Sequence, residues 1–477
     1  MDLNSKAYIY IEKTFGNDIA LKYKEFTDIT PIDYIRINPL KTNFYELKNI
    51  LSSKYEIEIE AISQIQFAAK VLLDKNLLIG KTLEHTLGYY YIQSISSMLP
   101  AFILNPQTNE RVLDLCAAPG SKTTHLAEMM NNKGTLIANE IDLNRVKALV
   151  FNIDRLNIIN VGVINYKGEL LSKVYDNYFD KILVDAPCSS LGIIQKKGEV
   201  TKWWSIEHSE RLYHIQLKLL ISAIKMLKAG GEIVYSTCTL TVEENEMVLE
   251  KVLKNYPVEL KEIQIPFQTR KGQTKFLDEE LNSQISLTHR ILPWEINSDG
   301  FFIAKLFKYD ITQPLEKSSF RKSDLSLIDY KNKTLVKSLM QLSDYFGFDY
   351  EVFSEYKFLI KGTDIFILNK YWFDNNLSLF NRIGTNFGTL DSFNRITLHS
   401  NAGQLLSNYI SKKIVELNDI DQLDDYISGG KIETPELENG QYLIKYNGYT
   451  LGTAIKSKEG LKSRFPKNKR TQKIEFR

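Results

Sequence analysis

Between residues 111 and 238 the sequence predicts an α/β fold, a mainly parallel sheet covered by helices on both faces. Strand-like and helix-like runs alternate there, the pattern of parallel strands joined by crossover helices. The runs at 182–186 and 232–235 are nearly all apolar, as strands buried on both faces must be. A length of 477 residues leaves room for further domains on either side, at roughly 100–200 residues each.

Taken in order, residues 1–84 mix helical periodicity with strand-like pieces such as YIRIN (34–38) and read as an N-terminal α+β module. LEHTLGYYYIQS breaks the helical period, so a new domain begins near His85, and its tyrosines read as an aromatic strand packing on the sheet. RVLDLC (111–116) opens the alternation, followed by a helix from Ser121, TLIANEI (135–141), a helix from Asp142 and VGVINY (161–166). DKILVDAP (180–187), a helix over 209–228 and EIVYSTC (232–238) continue it. EENE (243–246) places acids in a helix's first turn, where the macrodipole favours them. GFFIAKLFK (300–308) closes this domain, which spans 85–310. The polar TQPLEKSSFRKSDLS then reads as a linker, making 311–390 a linker and intermediate region. In the last domain, 391–477, YLIKYNGYTLGTAIK is two strands around Asn447-Gly448, a dipeptide favoured in tight hairpins.

Hydrophobic residues make up 43% and charged residues 25%, the balance of a compact chain rather than a disordered one. No apolar run has spanning length, and MDLNSKAYIYIEKTFG lacks the apolar core of a secretory signal, so a cytoplasmic monomer away from membranes is expected. Three cysteines cannot build a disulfide framework, and no CxxC pair or Cys/His cluster has zinc-ligand spacing, so no metal is expected. The six histidines share no spacing and are assigned no chemistry. With a net charge of +2, contact with nucleic acid must come from local patches such as GLKSRFPKNKR (460–470).

VLDLCAAPGSKTTHLAE (112–128) is a strand, a tight turn and a helix. The triphosphate loop is not met, because Ser121 separates Gly120 from Lys122 and the earlier glycine is missing; the dinucleotide pattern is also absent. What remains is Asp114 at the strand end, a small-residue turn that a ligand can approach, and helix N–H groups able to meet a carboxylate. Glu140 ends the next strand, where an acid can bond both hydroxyls of a ribose. A nucleoside bearing a carboxylate satisfies both features, which describes S-adenosylmethionine.

Asp185 and Cys188, in VDAPCSSLGI (184–193), follow the fourth strand, and Cys238 ends the fifth, so all three can face one cleft beside that cofactor. Cytosine C5 is a poor nucleophile, and a thiolate adding at C6 turns it into an enamine-like carbon able to take a methyl group. Cys238 suits that nucleophile. Ring activation needs a hydrogen bond or proton at N3, which Asp185 can supply. The C5 proton must then leave before the thiol is eliminated, and Cys188 is the candidate to assist.

DLCAAPGSKT, ANEIDLNRVKAL, DKILVDAPCSSLGI and GGEIVYSTCTLTVEENE, in this order, resemble the motifs of the Sun/Nop family of RNA cytosine-C5 methyltransferases. The likeness extends to GYYYIQSISSMLP and HRILPWEINSDGFFIAKL, covering about 85–308 densely. RIN (Arg36 to Asn38) resembles the family's upstream RNA-binding module. YNGYTLGTAIKSKEGLKSRFPKNKR resembles the PUA-like tail of bacterial members that act on small-subunit (16S) ribosomal RNA. The resemblance implies a Rossmann-like, S-adenosylmethionine-dependent core with a mainly parallel seven-stranded sheet, flanked by an RNA-binding module and a PUA-like extension. It implies that Cys238 is the nucleophile, that Cys188 assists product release and that Asp185 contacts cofactor or base. Cys116, Ala117, Ala118, Pro119, Gly120, Ser121, Lys122 and Glu140 would hold the cofactor, with Cys116 structural within the loop. Ribosomal RNA or the small subunit is the implied partner.

The sequence departs from the family in places. Lys167, in NYKGE, stands where an aspartate usually meets the adenine, and a lysine cannot accept that hydrogen bond. Either the loop shifts, Glu169 substitutes, or cofactor binding weakens. Ser190 replaces the commoner glycine beside Cys188, and QKKGEVTKWW (195–204) matches the family's basic, tryptophan-containing loop in outline only. The alternatives are a tRNA cytosine-C5 methyltransferase, a DNA enzyme using the Pro-Cys cysteine, and a non-enzymatic RNA-binding assembly factor.

Overall fold

The computed structural model describes residues 5–29, 31–72, 79–193, 204–313, 325–434, 437–470 and 474. The basic tryptophan-containing loop and the linker expected from the sequence lie largely outside these residues.

Strands β1 (Tyr34–Ile37), β2 (Glu58–Ala61), β3 (Ala68–Leu72) and β4 (Tyr90–Ile92) form an antiparallel sheet in the order β2-β3-β1-β4. Helix Phe44–Tyr55 buries Leu47, Leu51 and Tyr55 against Ile35, Ile37 and Ile59 of this sheet. The aromatic strand therefore pairs with β1, not with the central sheet, because Tyr90 is buried in this same cluster. The N-terminal module thus runs past His85. Its RIN segment is buried: the Arg36 guanidinium pairs with Glu128 at 2.7 Å and donates to Thr124 Oγ1 at 2.8 Å. Asn38 Nδ2 donates to the carbonyls of Gly88 and Leu156 at 2.9 and 3.2 Å. These residues fasten the module to the central domain, and their side chains are closed to RNA.

The central sheet starts with β5 (Arg111–Asp114), β6 (Thr135–Asn139), β7 (Val161–Ile164), β8 (Phe179–Asp185) and β9 (Leu227–Thr237), parallel in the order β7-β6-β5-β8-β9. β10 (Val258–Lys261) and β11 (Arg270–Lys271) follow, then a small hairpin of β12 (Lys275–Phe276) and β13 (Glu279–Glu280). β14 (His289–Ile291) and β15 (Phe301–Lys308) complete the domain. β15 lies antiparallel between β9 and β10, which gives seven strands, β7-β6-β5-β8-β9-β15-β10. Along the parallel strands neighbouring residues alternate between two cores. Leu113, Ile137, Ile182 and Ile233 pack with helix Ile206–Met226, and Val112, Leu136, Leu183 and Val234 pack with helices Ser121–Met129 and Leu143–Arg155. Both faces are thereby covered, as the unbroken apolar runs require.

The sheet is wider than seven strands, because β14 and β11 extend one side and a later strand the other. That strand is β18, introduced after β16 (Tyr356–Lys361) and β17 (Asp364–Asn369) as Phe380–Ile383. It pairs antiparallel with β7, and Phe380 and Trp372 press on Gly162, where an added Cβ would lie 2.5 and 2.7 Å from their rings. β16, β17, β19 (Thr385–Leu390) and β20 (Ile396–Leu398) make a separate antiparallel sheet. Helix Val336–Phe346 shares the core of that sheet with Phe358, Ile365, Phe387 and Leu398. The expected intermediate region is therefore a folded unit, and a boundary at 391 would cut between two paired strands. β21 (Ile414–Glu416), β22 (Lys431–Ile432), β23 (Gly440–Tyr446), β24 (Tyr449–Ser457) and β25 (Gly460–Ser463) form the last sheet. Asn447 and Gly448 both take positive φ to join β23 and β24, as the hairpin dipeptide predicts. This sheet packs on Leu83 and Leu87 of the N-terminal module. In its basic tail Phe465 and Lys469 are buried, so that aromatic cannot stack on a base, whereas Lys462, Arg464 and Lys467 are exposed.

Candidate active site

Parallel strands leave their ligand crevice beyond their carboxyl ends, where the strand order reverses. Here that crevice is a cleft of about 570 Å³ above β5, β6, β8 and β9. After β5 the chain turns through Leu115 to Gly120, whose φ of +105° and 3.0 Å clearance from Leu149 suit glycine. Ala117 N–H donates to Asn139 O at 2.8 Å, which holds the turn against β6. Glu140 then closes the rim: its Oε2 accepts from Ala118 N–H at 3.3 Å and lies 3.5 Å from Arg145, and its Oε1 accepts from Asp142 N–H at 3.0 Å. Asp114 does not reach the cleft. It is buried, accepts from Thr123 Oγ1 at 2.7 Å, and burial pushes its carboxyl up to about 7.

On the other side the two thiols meet. Cys188 Sγ and Cys238 Sγ are 3.0 Å apart, and Cys238 N–H donates to Cys188 Sγ at 3.3 Å. The Cys188 hydrogen bond draws the Cys238 thiol below its usual range, with Ser190 and Lys122 helping against burial and Asp185. The same bond, burial and the nearby Glu244 charge push Cys188 up. Cys238 is thus the more acidic sulfur of the pair and Cys188 the less acidic. Asp185 sits beside them with Oδ2 2.8 Å from Lys122 Nζ and Oδ1 accepting from Ser236 Oγ at 2.8 Å. Burial works against the Lys122 charge, yet Asp185 holds the ammonium above its ordinary range. Ser190 takes φ +59°, the conformation for which glycine is preferred, and its hydroxyl lies 3.6 Å from Cys238 Sγ.

Several residues that hold this arrangement escape a reading of the sequence. Glu244, fully buried, accepts from Ser189 N–H, Gln216 Nε2 and Thr241 Oγ1, each at 2.9 Å. It ties the Cys188 loop to the segment after Cys238. Of EENE, only Glu246 lies within the helix Glu246–Asn255, and it pairs with Arg290. Gly192 lets the same loop touch Cys238 O, because an added Cβ would meet Gly300 O at 2.5 Å and Cys238 O at 2.9 Å. Helices Lys6–Phe15 and Asn17–Phe26 buttress the site: Tyr10 OH donates to Glu243 at 2.6 Å and Tyr23 OH to Leu191 O at 2.9 Å.

Of the residues singled out in the sequence, Cys116, Ala118, Pro119, Glu140, Asp185, Cys188 and Cys238 line the one cleft. Ala117, Gly120, Ser121 and Lys122 shape it from behind, since their contacts are spent on the turn, on the helix start and on Asp185. Burial raises the Cys116 thiol well above its usual range, which keeps it protonated within the loop. Lys167 is exposed and does not line the cleft. Gly168 and Glu169 line the cleft instead, together with Asn139 and Arg145, so Glu169 is an acid within the cleft. Among the described residues no His, Cys, Asp and Glu cluster could hold a metal, and no helix is long and apolar enough to cross a membrane.

Comparison with known proteins agrees with this geometry. A family model described as "16S rRNA methyltransferase RsmB/F" matches residues 101–307. Ribosomal RNA small subunit methyltransferase F of Shewanella woodyi is 31% identical over 91% of this chain and 89% of its own length. The 28S rRNA (cytosine-C(5))-methyltransferase of Mus musculus is 36% identical over 62% of this chain, which spans only 37% of that longer relative. The crystal structure of a methyltransferase homolog from Pyrococcus horikoshii, 30% identical, superposes with a TM-score of 0.55 over 63% of this chain and 93% of its own. On its sheet order, its paired thiols and these matches, the chain belongs to the RsmB/F family of rRNA methyltransferases.

Proposed function

We propose that this chain methylates C5 of a cytidine in small-subunit ribosomal RNA through a covalent bond between Cys238 Sγ and C6. The observation that carries the reading is the thiol pair, two sulfurs 3.0 Å apart of which the Cys238 thiol is drawn below its usual range. The target atom is inaccessible in a stack, so the cytidine enters the cleft unpaired. Cys238 thiolate adds to C6, and N3 takes a proton passed through Asp185 from its Lys122 ammonium partner, which neutralises the electron pair displaced onto the ring. S-adenosylmethionine, when bound, supplies the electrophilic methyl group that C5 takes. The turn from Cys116 to Gly120 and Glu140 suit its ribose and carboxylate, and Glu169 suits its adenine amino group. The C5 proton then leaves to water, and the S–C6 bond breaks as Cys188 again donates to the departing Cys238 sulfur. We place the reaction in the cytoplasm, a reducing compartment in which sulfurs 3.0 Å apart stay unpaired.

The test is tritium transfer from labelled S-adenosylmethionine to RNA and subunits of a strain lacking the gene, with products mapped by bisulfite sequencing. A new 5-methylcytosine in small-subunit RNA, lost in Cys238→Ala, is expected, with a covalent RNA adduct accumulating in Cys188→Ala. Unimpaired turnover by Cys238→Ala would overturn the mechanism. Methylation of tRNA instead would reassign the substrate, and no transfer at all would leave an assembly factor.

A further inference from the structure

A second cavity, of about 530 Å³, lies at the opposite end of the central sheet from the thiols. Its floor is built by Asn131 to Lys133 and by Asn157 and Ile159, the turns that lead into β6 and β7. Its walls come from the N-terminal module, from the β16–β20 unit and from the β23–β24 hairpin. Nothing in the methyl-transfer reading uses it, yet its volume lies within the range of about 300–1,000 Å³ usual for ligand pockets.

Its chemistry is specific. Four tyrosines, Tyr89, Tyr356, Tyr371 and Tyr409, line it, and Tyr409 is half exposed. Two acceptors in the lining, Asn157 Oδ1 and Gln404 Oε1, receive no hydrogen bond from any described residue. Charge in and behind the lining is one-sided. Lys41 Nζ donates to the carbonyls of Leu87 and Arg155, neither of which neutralises it. Lys469, fully buried behind it, has no hydrogen-bond partner for its Nζ among the described residues. Arg155 is buried beside them, and the neighbouring Asp154 is already held by the Arg382 guanidinium. Lys133 and Lys445 add cations in the lining, where the acid Glu355 is taken by Lys370. Lys41 and Lys133 form no ion pair among the described residues, burial with Lys469 and Arg155 nearby pushes the Lys41 ammonium well below its usual range, which a bound anion would reverse, and the half-exposed Tyr409 ring offers a stacking surface. A simple anion would leave the tyrosines unused, and an apolar ligand would leave the cations unmatched.

We infer that this cavity holds an unstacked nucleotide of the RNA substrate, its base among the tyrosines and its phosphate toward Lys41 and Lys133. The inference rests on the RNA-methyltransferase reading for the identity of the strand. It makes the face remote from the thiols a second point of RNA attachment, assembled from four parts of the chain.

The experiment uses the full chain with a short single-stranded RNA carrying thiouridine, photocrosslinked and mapped by mass spectrometry. Tyr409→Ala and Lys133→Ala, both surface changes away from the thiol cleft, are compared with wild type for RNA and S-adenosylmethionine binding. Crosslinks to peptides containing Tyr371 or Tyr409 are expected, with RNA affinity falling about tenfold in each variant and cofactor affinity unchanged. The Lys133→Ala variant should also show a shallower dependence of RNA binding on salt. RNA binding unchanged in both variants, or crosslinks confined to the thiol cleft, would overturn the inference while leaving the methyltransferase reading intact. Cytidine monophosphate binding at Tyr409 without RNA binding there would overturn the assignment to a strand. No RNA binding anywhere would sink the reading on which the inference depends.

Discussion

The two sulfurs share one hydrogen bond yet are shifted in opposite directions, and that asymmetry has a measurable sign. The thiolate is the reactive form, so Cys238 reactivity rises as pH climbs through its lowered pKa and is lost below it. Removing the Cys188 donor in Cys188→Ala shifts this rise to higher pH, which iodoacetamide labelling of the Cys238 peptide across a pH series measures. An unmoved profile would mean that the pair does not tune the nucleophile. Glu244 makes a separate prediction. Its three donors, each at 2.9 Å, are orphaned in Glu244→Ala, and loosening the Cys188 loop is expected to cut turnover about 10²-fold, with slower Cys238 labelling. Glu244→Gln, which keeps an acceptor oxygen, should recover part of both; a variant that only lowers the melting temperature would make Glu244 purely structural. The thiols and Asp185 were legible because strand ends and reaction chemistry both point to them. Glu244 was not, because an acid near a helix start has an ordinary explanation, and its partners Ser189 and Gln216 come from other elements.

Among the elements, β5 to β9 could be read from their apolar runs because burial on both faces leaves little room for polar residues. β1 and β4 were harder. Tyr90 to Ile92 reads as a strand, but nothing local says which sheet it joins, and Arg36 looks like an exposed RNA contact until Glu128 is seen beneath it. That pair gives an element-scale prediction: Arg36→Met leaves the Glu128 carboxylate buried without its cation, at a cost of about 3–5 kcal/mol. Chemical denaturation measures the loss. A double variant, Arg36→Met with Glu128→Gln, should recover much of it, because the uncompensated charge is gone; failure to recover would place the cost in packing.

At the scale of the whole molecule, the parts are interleaved rather than strung together. Tyr449 OH of the last sheet donates to Glu84 of the N-terminal module at 2.8 Å, and Asn369 Nδ2 of the β16–β20 unit donates to Gly134 O of the central domain at 3.0 Å. The sequence could not show this, since a polar linker normally announces independent domains, whereas here the chain beyond it returns to complete the central sheet. β18 has a consequence for anyone dividing the protein. A fragment ending at Lys308 keeps every residue of the thiol cleft but leaves β7 as an open edge, with unpaired N–H and C=O groups flanking Gly162. Such an edge is a template for strand addition between molecules, so light scattering should find the fragment self-associating with concentration while the full chain does not. The last third of the chain is then a built-in guard against aggregation, and removing it would cost solubility before it cost chemistry.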